Sequence, residues 1–193
     1  MRKTVSLIGR PNTGKSSLFN RLINEKKSII DDQAGVTRDR IYGIVNYEDK
    51  SFNLIDTGGI DLEKATFNEN IKMQAELAID ESDLIVFVID GKEDLTSNDL
   101  LISSLLKKSN KEVIVAVNKL DEKHMNNNVY NYYELGFDAY YPVSAEHNKG
   151  IKELLNAITK DFNPYTTEED DATLKFSLIG RPNVGKSSLV NAL

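Results

Sequence analysis

The chain contains no cysteine and no tryptophan among its 193 residues. Without cysteine it can form neither a disulfide nor a thiolate metal site, which fits a reducing compartment. It also lacks an apolar run long enough to cross a membrane, and its first residues do not follow the pattern of a cleaved signal peptide. We therefore expect a cytoplasmic protein with no membrane contact.

Positively charged residues are outnumbered by negatively charged ones. Lysine and arginine number 24 against 30 aspartates and glutamates, so the formal net charge is −6. A chain with this balance has no overall attraction for nucleic acid, and the sequence predicts no direct nucleic-acid site. The hydrophobic fraction of 40% and the charged fraction of 28% are typical of a soluble globular protein that can bury a full core.

Apolar runs alternate with helix-like segments along the chain, which predicts an α/β fold with a mostly parallel, six-stranded sheet and helices on both faces. Runs 84–89 and 113–117 are apolar without alternation, as in central strands covered on both faces. Only residues 48–50 separate the second and third strands, which predicts an antiparallel strand at one edge. The predicted strands are 4–8, 40–47, 51–56, 84–90, 113–117 and 139–143, and the predicted helices are 15–24, 68–81, 97–108, 127–135 and 150–160.

A glycine-rich segment, Gly-Arg-Pro-Asn-Thr-Gly-Lys-Ser, joins the first predicted strand to the first predicted helix. Glycines let main-chain amides face phosphate oxygens, and the helix N-terminus adds its positive dipole end. Lys15 is expected to reach the β- and γ-phosphates, and the Ser16 hydroxyl is expected to bind Mg²⁺. The predicted nucleotide contacts from this phosphate loop (P-loop) are Gly9, Arg10, Pro11, Asn12, Thr13, Gly14, Lys15, Ser16 and Ser17. A simple glycine-rich turn before a helix is the alternative.

The third predicted strand ends in Asp56, Thr57, Gly58 and Gly59, all of which we place in the nucleotide site. Asp56 can hold Mg²⁺ through a water, and the Gly59 amide can meet the γ-phosphate. The alternative is an ordinary Gly-Gly turn, which the position after a phosphate loop disfavours.

The strand at 113–117 is followed by Asn118-Lys119-Leu120-Asp121, which predicts a guanine pocket. Asp121 can accept hydrogen bonds from the ring N–H and the exocyclic amine of guanine, a pattern that adenine lacks. This disfavours an ATPase or kinase. Asn118 is expected to support the loop and Lys119 to lay its stem over the base, while Ser144 and Ala145 complete the pocket with main-chain amides.

The first motif occurs twice. The stretch 5–18 recurs at 176–189 with two changes, and the second phosphate loop contains Gly180, Gly185, Lys186 and Ser187. A repeat at such a distance is a whole domain. We predict a first GTPase domain over 1–162, an acidic linker over 163–173 and the truncated start of a second GTPase domain over 174–193, so that the chain is a piece of a longer protein.

Taken together, these motifs resemble the Der (EngA) family of tandem GTPases in ribosome assembly. The resemblance covers essentially all of the chain, and the duplication is its most specific feature because single-domain relatives such as Era and the tRNA-modifying MnmE lack it. It implies a Ras-like P-loop GTPase domain that hydrolyses GTP to GDP and phosphate as a switch in assembly of the large ribosomal subunit, which the full-length protein would contact.

The same resemblance implies roles for residues whose chemistry is less evident. Thr37 would join Mg²⁺ and the γ-phosphate, and Lys15, Gly59 and Asn12 would complete the catalytic set. Ile60 stands where many GTPases have a water-orienting glutamine. In related GTPases an asparagine at the position of Asn12 helps to hold K⁺, so K⁺ stimulation is expected, although a loop-capping role for Asn12 remains open.

Three other functions share many of these motifs. A nucleotide-binding interaction module with negligible hydrolysis would have every binding residue. An Era-like or tRNA-modifying relative would have a single copy of the motifs. The GTPase domain of a membrane iron transporter would continue into transmembrane helices, whereas here a second phosphate loop follows the acidic segment.

Overall fold

The computed structural model describes residues 2–24, 41–57, 67–120 and 129–164. They form one six-stranded sheet with helices on both faces, which confirms the predicted α/β architecture. In chain order the elements are β1 (Lys3–Ile8), α1 (Lys15–Asn24), β2 (Ile41–Tyr47), β3 (Lys50–Asp56), α2 (Phe67–Glu81), β4 (Leu84–Asp90), α3 (Ser97–Lys108), β5 (Glu112–Asn118), a 3-10 helix (Val129–Leu135), β6 (Tyr140–Pro142) and α4 (Ile151–Thr159).

The strands lie in the order β2-β3-β1-β4-β5-β6. β2 pairs antiparallel with β3, and every other neighbouring pair is parallel, so the predicted antiparallel edge strand is confirmed. All the parallel strands therefore end at the same edge of the sheet, where open α/β sheets bind ligands.

The two central strands are buried on both faces, as their unbroken apolar runs predict. In β4, Leu84, Val86 and Val88 belong to one hydrophobic cluster, and the intervening residues belong to the other. The first cluster includes α1 and α4, and the second includes residues of α2, α3 and the 3-10 helix. Strand alternation thus divides one apolar run between two layers of helices.

Two elements differ from the predictions. The weak helical pattern at 127–135 is a 3-10 helix over Val129–Leu135, in which Tyr132 and Leu135 are buried three residues apart, as the period of a 3-10 helix requires. The last strand has three residues, Tyr140–Pro142, instead of five. Its paired residues end at Pro142, although the Val143 amide still donates to the Val117 carbonyl at 2.8 Å.

The end of the predicted first domain lies close to the last described residues. Phe162 is 8% exposed and its ring meets Phe52 edge-on at 5.8 Å, whereas Asn163 and Pro164 are exposed. The rest of the predicted acidic linker and the start of the second domain lie outside the described residues, so these boundaries stay predictions. In the part that is described, no helix is both long and apolar enough to cross a membrane.

Candidate functional site

The phosphate loop occupies the turn between β1 and α1, at the carboxyl edge of the sheet. Gly14 has a φ of 87°, a left-handed conformation that favours glycine, and its carbonyl accepts the Leu18 amide at 2.9 Å to begin α1. A Cβ at this position would collide with the side-chain amide nitrogen of Asn118. The second glycine of the motif is therefore required by both the backbone and its neighbour.

Lys15 folds back onto its own loop in the described structure. Its Nζ donates to the Arg10 carbonyl at 2.9 Å, and the residue is buried. Burial lowers the pKa of the Lys15 amine from its usual 10.5, the Asp56 carboxylate works in the opposite direction, and the charge of Arg10 lowers the pKa further. A phosphate group would give this poorly solvated amine the counter-charge that a carbonyl cannot.

Ser16 and Asp56 meet across the turn. The Ser16 hydroxyl donates to Asp56 Oδ2 at 2.8 Å, and Asp56 is almost fully buried at the end of β3. Next to it, the Thr57 hydroxyl donates to the Leu7 carbonyl at 2.8 Å and ties β3 to β1. A hydroxyl and a carboxylate side by side are the hard oxygen donors that Mg²⁺ prefers, so these residues fit the ion.

Asn118 connects the two halves of the predicted site. Its side-chain amide donates to the Thr13 carbonyl at 2.9 Å, and its side-chain oxygen accepts the Ala145 amide at 3.1 Å. The same side chain thus holds the phosphate loop and the predicted base-binding loop, and it is buried.

Lys119 reaches the phosphate loop as well. Its Nζ donates to the Asn12 carbonyl at 2.5 Å and pairs with Asp90 Oδ2 at 2.7 Å. Asp90 is buried at the end of β4 and is not among the site residues predicted from the sequence. The signal was there, because Asp90 occupies the carboxyl end of a parallel strand, as Asp56 and Asn118 do.

The predicted base-binding loop after β6 is held from two sides. Ser144 and Lys149 form an isolated bridge, with the Ser144 amide donating to the Lys149 carbonyl at 2.9 Å. Arg21 of α1 donates from Nε to the Ala145 carbonyl at 2.8 Å and from its guanidinium to the Glu146 carbonyl at 3.0 Å. The sequence offered no signal for Arg21. A cavity of about 390 Å³ between α1 and this loop is lined by Ser17, Asn20, Arg21, Asn24, Ala145 and Glu146.

The Arg10 side chain points away from the phosphate loop in the described structure, and the predicted contact of Arg10 with the nucleotide stays a prediction. Its guanidinium lies on two carboxylates of the segment after β4, at 2.5 Å from Glu93 Oε2 and 3.2 Å from Asp99 Oδ2. Only its main chain faces the loop interior, where the carbonyl accepts Lys15 and the Thr13 hydroxyl. Pro11, Asn12, Ser16 and Ser17 are exposed along the rim of the loop.

Several predicted site residues lie outside the described part of the chain. They are Thr37, Gly58, Gly59, Asp121 and the residues of the second phosphate loop, Gly180, Gly185, Lys186 and Ser187. The roles proposed for them stay predictions.

Comparison with curated proteins finds close relatives along the whole chain. The chain is 49% identical over 194 residues to GTPase Der of Listeria innocua, 51% over 190 residues to GTPase Der of Enterococcus faecalis and 52% over 190 residues to GTPase Der of Streptococcus suis. These alignments cover 98–100% of the chain but 44% of each relative, so the chain spans less than half of their length.

Solved structures share the fold at lower identity. An Era variant from Aquifex aeolicus bound to GDP and AlF4⁻ superposes with a TM-score of 0.67 at 30% identity and covers 86% of this chain and 59% of that one. Era in complex with MgGDPNP and a 16S ribosomal RNA fragment gives a TM-score of 0.66 at 30% identity, over 88% and 61% of the two chains. The G domain of the T. maritima FeoB iron transporter gives 0.62 at 26% identity, over 83% and 98%.

A family model described as 50S ribosome-binding GTPase matches residues 4–119 and 175–193. The two matched segments contain both copies of the phosphate loop. The match covers more than half of the chain and includes the described Lys15, Ser16, Asp56 and Asn118. The chain therefore belongs to the 50S ribosome-binding GTPase family, and its resemblance to the Der (EngA) branch is confirmed by curated relatives named GTPase Der.

Proposed function

We propose that this chain binds GTP at the carboxyl edge of the sheet and hydrolyses it to GDP and phosphate, as part of a protein that assists assembly of the large ribosomal subunit. The observation that carries the proposal is the double contact of Asn118, which joins the phosphate loop to the base-binding loop. A single buried side chain thereby sets the distance between the sites for the two ends of one nucleotide.

The phosphates would be bound by the loop between β1 and α1. Its main-chain amides and the start of α1 provide partial positive charge, and Lys15 provides a full one. On nucleotide binding, Lys15 exchanges the Arg10 carbonyl for phosphate oxygens. The exchange is favourable because the amine is buried, and a negative partner stabilises a buried cation far better than a neutral dipole does.

Mg²⁺ would be held by Ser16, by Asp56 through a water and, in the triphosphate state, by Thr37. When bound, the ion neutralises charge on the phosphate oxygens. Ser16 and Asp56 are already adjacent, so the metal needs to displace only one hydrogen bond between them. The γ-phosphate would order Thr37 and Gly59, and its loss would release them, which makes the domain a switch.

Hydrolysis would use water as the nucleophile and form no covalent intermediate. Ile60 has no polar group with which to orient that water, so the charge that develops on the phosphates must be stabilised in another way. We propose that K⁺ held by Asn12 contributes. Asn12 is exposed and has a φ of 67°, a conformation that asparagine tolerates, so a turn-forming role alone would also account for the residue.

The role in large-subunit assembly is supported by the description of the family as ribosome-binding and by relatives named GTPase Der. It belongs to the full-length protein, since this chain spans 44% of those relatives. The similar structures are of Era and of the FeoB iron transporter. The second match of the family model, at 175–193, favours a tandem GTPase over either of these.

The proposal is tested by GTP turnover with Mg²⁺ in KCl and in NaCl at equal ionic strength. We compare the wild type with Asn12→Gly, which keeps the left-handed backbone and removes the amide, and with Asn12→Ala, which also strains the backbone. We expect faster turnover in KCl for the wild type and loss of the difference in both variants.

Three results would contradict parts of this account. Equal turnover in the two salts would exclude the cation role of Asn12. GTP binding with no turnover in either salt would make the chain a nucleotide-binding module rather than an enzyme. A cation effect that survives in Asn12→Gly but not in Asn12→Ala would assign Asn12 to the backbone turn alone.

A further inference from the structure

Arg10 makes two sets of contacts, one through its side chain and one through its main chain. Its guanidinium is 14% exposed and contacts Glu93, which is 59% exposed, and Asp99, which is 2% exposed. These partners lie 83 and 89 residues along the chain, in the segment that leads from β4 into α3. The side chain therefore extends out of the phosphate loop and binds the segment between β4 and α3.

Asp99 is also part of the cap of α3. The Thr96 hydroxyl accepts the Asp99 amide at 3.3 Å, while Asp99 Oδ2 accepts the Thr96 amide at 2.9 Å and the Thr96 hydroxyl at 2.7 Å. Asp99 Oδ1 is buried and finds no hydrogen-bond partner in the described structure. A buried carboxylate is costly unless a cation faces it, and Arg10 is the cation that contacts this one. The contact with Asp99 therefore ties Arg10 to the first turn of α3.

The main chain of Arg10 faces the other way. Its carbonyl accepts the Lys15 amine at 2.9 Å and the Thr13 hydroxyl at 3.1 Å. The position of this carbonyl sets where Lys15 rests before nucleotide arrives. Because the Arg10 side chain is bound to Glu93 and Asp99, the Arg10 carbonyl is restrained in position. Without those two contacts the carbonyl would be free to move.

We infer that Arg10 is a positioning residue for nucleotide binding: its clamp on Glu93 and Asp99 pre-organises the phosphate loop and the resting place of Lys15. The inference rests on the proposed function and deepens it. Pre-organisation raises affinity because the loop loses less conformational freedom when the ligand binds. Removing the clamp should therefore weaken the binding of GTP and GDP alike and leave the chemical step nearly unchanged.

The test measures the Kd for Mg-GDP, and KM and kcat for GTP, in Arg10→Met, Arg10→Lys, Glu93→Gln and the double variant Arg10→Met with Glu93→Gln. Glu112→Gln, which removes an exposed carboxylate at the start of β5, is the matched control. We expect Arg10→Met to raise the Kd and the KM about tenfold or more, since it removes hydrogen bonds between charged groups. Glu93→Gln should raise the Kd only a few-fold because Glu93 is exposed. The expected kcat stays within about twofold.

The double variant and the lysine variant separate the possible roles. If Arg10 acts through its clamp, the double variant binds no more weakly than Arg10→Met, and Arg10→Lys recovers part of the affinity through one carboxylate. If the Arg10 side chain instead contacts phosphate, Glu93→Gln frees it and tightens binding, which would overturn the inference. An unchanged Kd together with a lowered free energy of unfolding would also overturn it, because the role would then be structural only.

Three further outcomes separate a failure of this inference from a failure of the proposed function. If Arg10→Met does not fold, Arg10→Lys and Glu93→Gln decide the question, because each retains at least one contact of the clamp. If the wild type itself fails to bind Mg-GDP, the proposed function is wrong and the inference falls with it. Normal binding by the wild type with no change in any variant overturns the inference alone.

Discussion

At the scale of single residues, Lys15 lies in a buried environment in which a charged amine is stable only with a polar or negatively charged partner. It is buried, and its pKa is lowered chiefly by that burial. Between the lowered pKa and 10.5 the folded protein holds fewer protons than the unfolded chain. By linkage, charged Lys15 costs stability at neutral pH, and the cost disappears as pH rises through that interval.

We predict that Lys15 titrates below 10.5 in the nucleotide-free protein and that its pKa rises when Mg-GDP binds, because phosphate stabilises the charged amine. The measurement is an NMR titration of the lysine Cε resonances with and without Mg-GDP. The Lys15→Met variant identifies the resonance by its absence. A Lys15 resonance that titrates at or above 10.5 without nucleotide, or that ignores Mg-GDP, would contradict the prediction.

The types and spacing of the residues predict the candidate site but not all of the contacts within it. Asp56 and Asn118 could be placed because each ends a strand at the same edge of the sheet, and Ser16 because its loop leaves β1 at that edge. The Arg10 contacts could not be placed, since the segment 91–99 contains three acidic residues and only the folded chain shows which of them face the loop.

At the scale of elements, α3 begins at a capping box that also serves the phosphate loop. The Thr96 side chain accepts the Asp99 amide, and Asp99 returns the contact to the Thr96 amide. This box explains why α3 begins at Ser97, where the sequence predicted it to begin. The bounds of α1 and β4 are likewise those predicted, because a phosphate loop precedes α1 and an unbroken apolar run defines β4.

We predict that Thr96→Ala lowers the free energy of unfolding by about 1 kcal/mol, which is the usual contribution of such a cap. Chemical denaturation of the nucleotide-free protein measures it. Ser97→Ala, at an exposed position one residue later, is the control and should change stability by roughly 0.5 kcal/mol or less. Equal effects of the two substitutions would show that the box does not stabilise α3.

The 3-10 helix shows where pattern reasoning fails at this scale. Short segments are ambiguous because three residues per turn and 3.6 residues per turn place nearly the same side chains inward. Here the packing of Tyr132 under the turn after β4 decides the outcome: its hydroxyl donates to the carbonyls of Asp90 and Glu93 at 3.2 and 3.1 Å. Those partners are 42 and 39 residues away from Tyr132 in the chain.

At the scale of the whole molecule, the sheet brings together motifs that are far apart in the chain. Asn118 and Thr13 are 105 residues apart, yet the parallel course of β1, β4 and β5 places them within a hydrogen bond. The alternation of strands and helices predicted the layers and the antiparallel edge strand. It did not predict the strand order, because strand order depends on the crossovers and several orders satisfy the same pattern.

We propose that this chain selects guanine nucleotides and that the Asp121 carboxylate recognises the base. The most direct test is competition binding of GDP, XDP and ADP, each with Mg²⁺, to the wild type and to Asp121→Asn. Xanthine has a carbonyl where guanine has its exocyclic amine, so an amide at position 121 can donate where the carboxylate could only accept. We predict that the wild type prefers GDP over XDP and ADP by about a hundredfold or more, and that Asp121→Asn prefers XDP. Equal binding of ADP and GDP by the wild type, or an unchanged preference in the variant, would contradict the account.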